Sequence, residues 1–456
     1  MKKDIRLALL FAFFILGALK SNAQPQRYLI KFKHKGTSPF SLATPANYLS
    51  ARSIARRTRH DIVLDSTDLP VTPRFLDSIR SVPGVIVLNV SKWLNQVSIR
   101  TADPATAIAA INRFTFVLSA TSIAARTERG ARVRSSGKQE ANIKAPASPQ
   151  IINQTAADFY DYGASYNQVH IHNGEFLHNI GLRGQNMIVG MMDAGFKNYL
   201  TVKAFDSART NGQIFGTYDF VANEVSVNED DAHGMQCFST IAANIPGQFV
   251  GTAPKAGFYL YRTEESGTEY PIEEFNWVCG AERIDSAGGD LISSSVGYYD
   301  FDAPFNTPVY NHTYADMNGN TTTVAIGADL AAKKGILVVN SAGNEGNDPW
   351  RYIITPADGD SVLAVGAVNT SGIAANFSSY GPSSDGQVKP DVASVGVSTV
   401  VQFSGNTVGT SNGTSFSAPN MAGLATCLWQ GFPEYNNMKI INALRQSGSI
   451  FTAPND

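Results

Sequence analysis

Ser415 sits in Gly413-Thr-Ser-Phe-Ser-Ala-Pro419, where a polar, glycine-rich run (residues 404–412) opens into an apolar one (residues 421–429). A small-residue turn entering a helix sets one side chain beside unpaired backbone N–H groups and the positive end of the helix dipole. Negative charge developing in acyl transfer is stabilised there, so Ser415 is a candidate nucleophile. The same stretch also suits an N-cap with proline in the first turn. Three further motifs bear on the choice. Asp193-Ala-Gly195 follows the apolar run 187–192, and an acid there either caps a turn or orients a histidine through one ring nitrogen. His233-Gly234 leads into an apolar helical run at 238–243, where a histidine serves packing or carries protons. Ser341-Ala-Gly-Asn344 follows the run 335–340, and Asn344 either closes a turn or donates its amide N–H to an oxyanion. The order Asp, His, Asn, Ser, each flanked by glycine, is one of the chain orders in which serine triads occur.

These residues need a frame. Short β-rich runs at 187–192, 258–261, 291–296, 335–340 and 362–368 alternate with helical stretches at Ile272–Ala287 and 322–334. Such alternation predicts a parallel sheet covered on both faces, an α/β architecture that binds ligands beyond the carboxyl ends of its strands. The chemistry-bearing residues fall at those ends.

Residues 24–120 predict a separate, small α+β module. Ile30 and Phe32 share one face of a strand at 28–33, and a basic helix follows at 45–59. Thr72-Pro73 opens a helix with Phe75, Leu76 and Ile79 on its apolar face, strands follow at 85–90 and 94–100, and Asp103-Pro104 opens another helix. A last strand is expected at 114–118, giving β-α-β-β-α-β with one extra helix, a ferredoxin-like split sandwich. From 121 to 150 the periodicity stops and Arg126, Arg129, Arg132, Arg134 and Lys138 punctuate a polar run, which predicts a linker open to proteolysis. The remainder, 151–456, would be the second domain.

The chain of 456 residues has room for two or three units, and its 16% charged and 43% apolar residues are those of a packed globular protein. A net charge of −2 argues against nucleic acid or an anionic membrane as main partner. Lys2, Lys3 and Arg6 precede an apolar run at 7–19 and then Ser21-Asn-Ala23, which predicts a secretory signal peptide over residues 1–23. A membrane anchor would need an apolar run of about 20 residues. Cys237, Cys279 and Cys427 have no metal-like spacing and allow at most one disulfide.

The four motifs resemble the signatures of the subtilisin-like serine proteases. Val250-Gly-Thr-Ala-Pro254, Ser295-Val-Gly297, Phe377-Ser-Ser-Tyr-Gly-Pro382 and Lys389-Pro-Asp391 add to the likeness, which spans about residues 162–429. The resemblance implies a three-layer α/β fold with a mainly parallel sheet, and a secreted endopeptidase made as a zymogen. It implies Ser415 as nucleophile, His233 as general base, Asp193 as the acid that orients it, and Asn344 with the Ser415 N–H as oxyanion hole. Ser295, Val296 and Gly297 would pair with an extended substrate, and Ser341, Ala342 and Gly343 would wall the specificity pocket. The N-terminal module resembles the propeptide that such enzymes use as chaperone and temporary inhibitor. Polypeptide substrates and this propeptide are therefore the expected partners of a monomer that needs no cofactor for catalysis. Calcium often stabilises this family, and residues 242–251 sit where one site would be; Asp316-Met-Asn-Gly-Asn320 resembles part of a calcium loop and is equally well a hydrophilic turn.

The chain departs from the family pattern in four places. Met235 replaces the usual Thr, Ala393-Ser-Val-Gly396 lacks a proline, 298–323 is long, and the chain stops at Asp456 soon after a helix at 438–446. Its C-terminal end is expected to be either a natural short form or incomplete. An inactive binding protein on the same fold and a metal-dependent hydrolase are the rival classes. The filled catalytic positions oppose the first, and the lack of paired His/Glu spacing opposes the second.

Overall fold

Alternating apolar residues give the N-terminal module its sheet. In the computed structural model, which describes residues 26–124 and 158–453, strands β1 (Gln26–Phe32), β2 (Val85–Ser91), β3 (Gln96–Thr101) and β4 (Val117–Ala124) pair antiparallel in the order β2-β3-β1-β4. The expected leader and nearly all of the linker lie outside the described residues. Helices α1 (Ala51–Arg59), α2 (Pro73–Arg80) and α3 (Pro104–Ile111) accompany the sheet, and Ile30, Phe32, Phe75, Ile79, Val97, Ile99 and Ile111 form the core. This is the expected split sandwich, with local differences. The Ser50 side chain accepts from the Ser53 N–H, so α1 starts at Ala51, and Pro45–Asn47 is a separate turn. Asp103 caps α3, whereas the Thr72 side chain makes no capping bond to α2. The apolar run at 114–118 is mostly not strand: Phe116 stacks on Phe75 at 4.1 Å and on Phe114 at 5.2 Å in the turn before β4. The strand itself runs on to Ala124, because Ile123 and Ala124 are buried against the second module.

That module is built on seven strands: β5 (Ile188–Asp193), β6 (Ile214–Asp219), β7 (Gly257–Arg262), β8 (Leu291–Ser294), β9 (Leu337–Ser341), β10 (Val362–Val368) and β11 (Val392–Val395). All pair in parallel, in the order β11-β10-β9-β8-β5-β7-β6. Central strands are buried on both faces and read as continuous apolar runs, which is why the sequence exposes them. The two edges, β6 and β11, are half-buried and carry no such signal. The polar run at 404–412 also hides structure, since β12 (Thr399–Phe403) and β13 (Thr407–Ser411) form a hairpin there.

Helices cover both faces. Val189, Met191, Val339 and Val365 point to the side of α4 (His233–Ala242), α7 (Thr414–Gly431) and α8 (Asn437–Gln446). Met192, Ile292, Val338 and Val362 point to the side of α5 (Ile272–Ala287) and α6 (Thr323–Lys333). The period of two along each strand thus sorts one sheet into two cores. β5 is the switch point: the chain steps out to β6, returns through β7, then crosses to β8 on the other side of β5. Met235 is fully buried in the first core beside Phe238.

The N-terminal module rests on α5, which is therefore buried on nearly every side. Arg56 donates to Asp285 at 2.6 Å, and Arg57 to Asp285 at 3.0 Å and to Asp68 at 2.8 Å. Lys334 reaches Asp68 at 2.8 Å, and Glu282 accepts from the N–H groups of Lys92 (2.8 Å) and Trp93 (3.0 Å) and from the Ser91 hydroxyl. Burying a charge costs several kcal/mol unless it is paired and hydrogen-bonded; here Asp285 and Asp68 meet cations, while Glu282 is held by neutral donors.

Candidate active site

Asp193 is the last residue of β5 and almost fully buried. Its Oδ1 accepts from the Ala194 N–H and lies 2.7 Å from Nδ1 of His233, the first residue of α4. The His233 N–H donates to Asp231 Oδ1 at 2.8 Å, which fixes the start of the helix. Close backbone approach makes the pair possible: a Cβ on Gly234 would come within 2.5 Å of the Gly195 carbonyl oxygen and 2.7 Å of Asp193 Cβ. Burial by itself would depress the His233 pKa. The Asp193 charge and hydrogen bond outweigh it and hold the imidazole well above its ordinary value.

One turn along α4, Cys237 Sγ lies 3.8 and 3.9 Å from the two ring nitrogens of His233 and donates to the Ser415 carbonyl at 3.2 Å. That contact joins α4 to α7. Gly413 precedes α7 at φ +148°, a backbone that side-chain-bearing residues rarely adopt, and its N–H is held by the Gly396 carbonyl at 2.8 Å. Ser415 is the second residue of α7 and nearly buried; its Oγ donates to the Ser295 carbonyl at 3.4 Å. The Ser295 hydroxyl donates back to the Ser415 carbonyl at 2.9 Å. Asn344, just beyond β9, uses its Oδ1 to accept both the Thr414 N–H and the Thr414 hydroxyl at 2.9 Å.

Asp193, His233, Asn344 and Ser415 line one cleft together with Ser295, Val296, Gly297, Ser341 and Gly343. Ala342 is the exception among the expected wall residues. It is fully buried with Ile353, Ala357 and Ala364, and its N–H pairs with the Val365 carbonyl. It lies one residue beyond β9 and turns into the core.

The cleft also carries groups that the sequence reading passed over. Glu345 is nearly buried, takes a 2.9 Å bond from the Ser379 hydroxyl, and has its carboxyl pushed up to about 7 by burial. Glu264, two residues past β7, accepts the Tyr298 hydroxyl at 2.6 Å, and Glu269 and Tyr299 line the same wall. The strand-end rule that singled out Asp193 and Asn344 applies equally to Glu264 and was not carried to β7.

The residues proposed for calcium do not fit the ion. Asp316 Oδ2 caps its own turn, accepting the Thr313 N–H and hydroxyl at 2.7 Å each, and Asn318 Oδ1 is taken by the Asn320 N–H and the Thr321 hydroxyl. Residues 242–251 contain no carboxylate at all. Cys237, Cys279 and Cys427 are buried and no disulfide joins them. Among the described residues, no helix is long and apolar enough to cross a membrane.

Comparison with known proteins agrees with this architecture. The chain is 26% identical over 283 residues to a thermostable alkaline protease of Halalkalibacterium halodurans, covering 62% of this chain and 67% of that protein. It is 30% identical over 277 residues to subtilisin NAT of Bacillus subtilis subsp. natto, covering 60% of this chain and 63% of that one. It is 27% identical over 282 residues to subtilisin Savinase of Lederbergia lenta, covering 61% and 89%. The alignment thus spans just under two thirds of the length of subtilisin NAT. Residues 27–141 match the peptidase S8 propeptide domain of Bacteroidota, and residues 184–449 match the subtilase family. With more than half of its length matched, the chain belongs to the subtilase family.

Proposed function

We propose that this chain is an exported serine endopeptidase, synthesised as a zymogen whose N-terminal module inhibits it until the linker is cut. In this reading residues 1–23 are the signal peptide, 24–120 the propeptide, 121–150 the linker and 151–456 the catalytic domain, acting as a monomer. The observation that carries the reading is the 2.7 Å Asp193–His233 contact in a cleft shared with Ser415 and Asn344.

His233 Nε2 takes the Ser415 hydroxyl proton as Oγ bonds to the peptide carbonyl carbon. Asp193 holds Nδ1–H toward its carboxylate, which leaves proton transfer from the serine to Nε2, and it stabilises the imidazolium that forms. The carbonyl oxygen becomes an oxyanion, which the Asn344 side-chain N–H and the Ser415 backbone N–H stabilise. The Thr414 N–H and hydroxyl bond the Asn344 carbonyl oxygen and so fix the orientation of its amide. His233 then protonates the leaving amine, the C–N bond breaks, and an acyl-enzyme remains. Water, deprotonated by the same imidazole, attacks the ester and returns Ser415 to its starting state. Extended substrate pairs with Ser295 to Gly297, a mode that reads backbone more than side chains and so favours broad specificity.

The test is to express the chain from Gln24 beside its Ser415→Ala variant, following linker cleavage and labelling by a serine-reactive fluorophosphonate. Cleavage and labelling in the wild type alone support the reading. Neither in the wild type would leave an inactive, protease-like binding protein.

A further inference from the structure

One buried cation joins the strand ends around the cleft. Arg262 is the last residue of β7 and only 4% exposed. Its Nε donates to two carbonyl oxygens, those of Ala194 and Glu264, each at 3.1 Å. Its Nη1 donates to Asp219 at 2.8 Å and lies 3.2 Å from Asp230, while Nη2 lies 3.2 Å from Glu265. Ala194 directly follows Asp193. Asp230 lies three residues before His233, in the segment whose Asp231 holds the His233 N–H. Glu264 is part of the cleft wall. The guanidinium therefore bonds the segment carrying the acid, the segment carrying the imidazole and the wall beside the substrate. Its fourth anchor, Asp219 at the end of β6, is itself fully buried.

We propose that Arg262 is a positioning residue for the Asp193–His233 pair, acting through the main chain and not on substrate. The proposal rests on the functional reading above. The fork geometry matters, because a planar guanidinium serves two carbonyls from one nitrogen while its other nitrogens meet carboxylates in different directions. A lysine ammonium offers the same charge from a single point and cannot reach all of them. With the cation lost, the two segments keep the Asp193–His233 bond and flanking main-chain bonds such as Lys197 N–H to Asp231 O, but lose the tie between Ala194 and Asp230 that sets its geometry. Misplacement of a reacting group by about 1 Å costs on the order of 100-fold in rate.

The experiment uses the chain from Gln24 with Arg262→Lys, and with Arg262→Met paired with Asp219→Asn so that no buried acid is left uncompensated. Folding is checked by cooperative thermal unfolding, and the rate of fluorophosphonate labelling at Ser415 is measured from pH 5 to 10. We expect the double variant to fold, label at least tenfold more slowly and show a displaced pH midpoint, with Arg262→Lys recovering part of the rate. A merely structural arginine would lower the melting temperature and leave both rate and midpoint at wild-type values. That result, in either variant that folds, overturns the proposal. Should the double variant not fold, Arg262→Lys decides alone by the same two readouts. A wild type that never labels overturns the functional reading itself, and this inference with it.

Discussion

His233 Nδ1 and Asp193 Oδ1 meet at 2.7 Å inside a site where the carboxylate is 1% exposed, so one proton is held between them almost out of reach of water. Burial disfavours the imidazolium, and Asp193 together with Cys237 more than restores it, leaving the folded pKa above the ordinary His value. Activity requires the neutral ring and must therefore rise as pH climbs through that raised value. We expect the imidazole of the Ser415→Ala chain, followed by NMR, to titrate above its usual 6.5, and Asp193→Asn to bring the midpoint down. In a serine protease the corresponding Asp→Asn change lowers kcat about 10⁴-fold. A wild-type midpoint below 6.5 would refute the assignment.

In the proposed mechanism Asn344→Ala removes one oxyanion donor, and it should lower kcat by roughly 10²- to 10³-fold, about 3 kcal/mol, with KM little changed. Because Thr414 also leans on Asn344, thermal unfolding must be measured alongside. A rise in KM at constant kcat would assign the residue to ground-state binding instead.

Asp285 receives Arg56 and Arg57 from α1 and lies 3.5 Å from Lys92. Asp285→Ala leaves three cations facing an empty position, and breaking such buried pairs costs about 3–5 kcal/mol. Hydrogen exchange on the Ser415→Ala chain should show α1 amides losing protection by two orders of magnitude or more while α7 keeps its own. Unchanged exchange in α1 would mean that apolar contacts, not this network, hold the modules together.

Glu282 is raised by burial from about 4.5 to about 7 in the assembled chain. The sign follows from proton counting: between those values the folded state keeps a proton that the unfolded state has released. The contribution of Glu282 to stability is thus fully present below about 4.5 and declines as pH rises through 7. Urea unfolding of the Ser415→Ala chain at pH 5 and pH 8 should give a difference that shrinks in Glu282→Gln. Glu345 contributes a slope of the same sign and remains in both proteins, so the comparison isolates Glu282.

The sheet was legible where strands are buried on both faces, because β5, β9 and β10 carry unbroken apolar runs. It was illegible at β6 and β11, whose half-exposed edges dilute the pattern. Turn chemistry misled at Thr72, where proline alone opens the helix, and the aromatic stack of Phe75, Phe114 and Phe116 passed for a strand. Within the site, Asp193, His233, Asn344 and Ser415 were readable from small flanking residues that only close backbone approach requires. Arg262 and Glu264 were not. Their role depends on which strands become neighbours, and the crossing from β7 over β5 to β8 is a property of topology that no local pattern encodes. The α1–α5 network was hidden for the same reason, since Arg56 and Asp285 are far apart in the chain.

The polar character of the α5 face has a consequence for the two halves once parted. Asn276, Glu282 and Asp285 are buried only while Asn89, Lys92 and the arginines of α1 cover them. A face sealed by leucine and phenylalanine would leave two sticky surfaces on separation. This one is hydrogen-bonded and ionic, so water and salt can take the place of each lost partner on it. Beside it Trp93, Ile123 and Ala124 form an apolar patch, so parting the halves would bare one polar face and one apolar one.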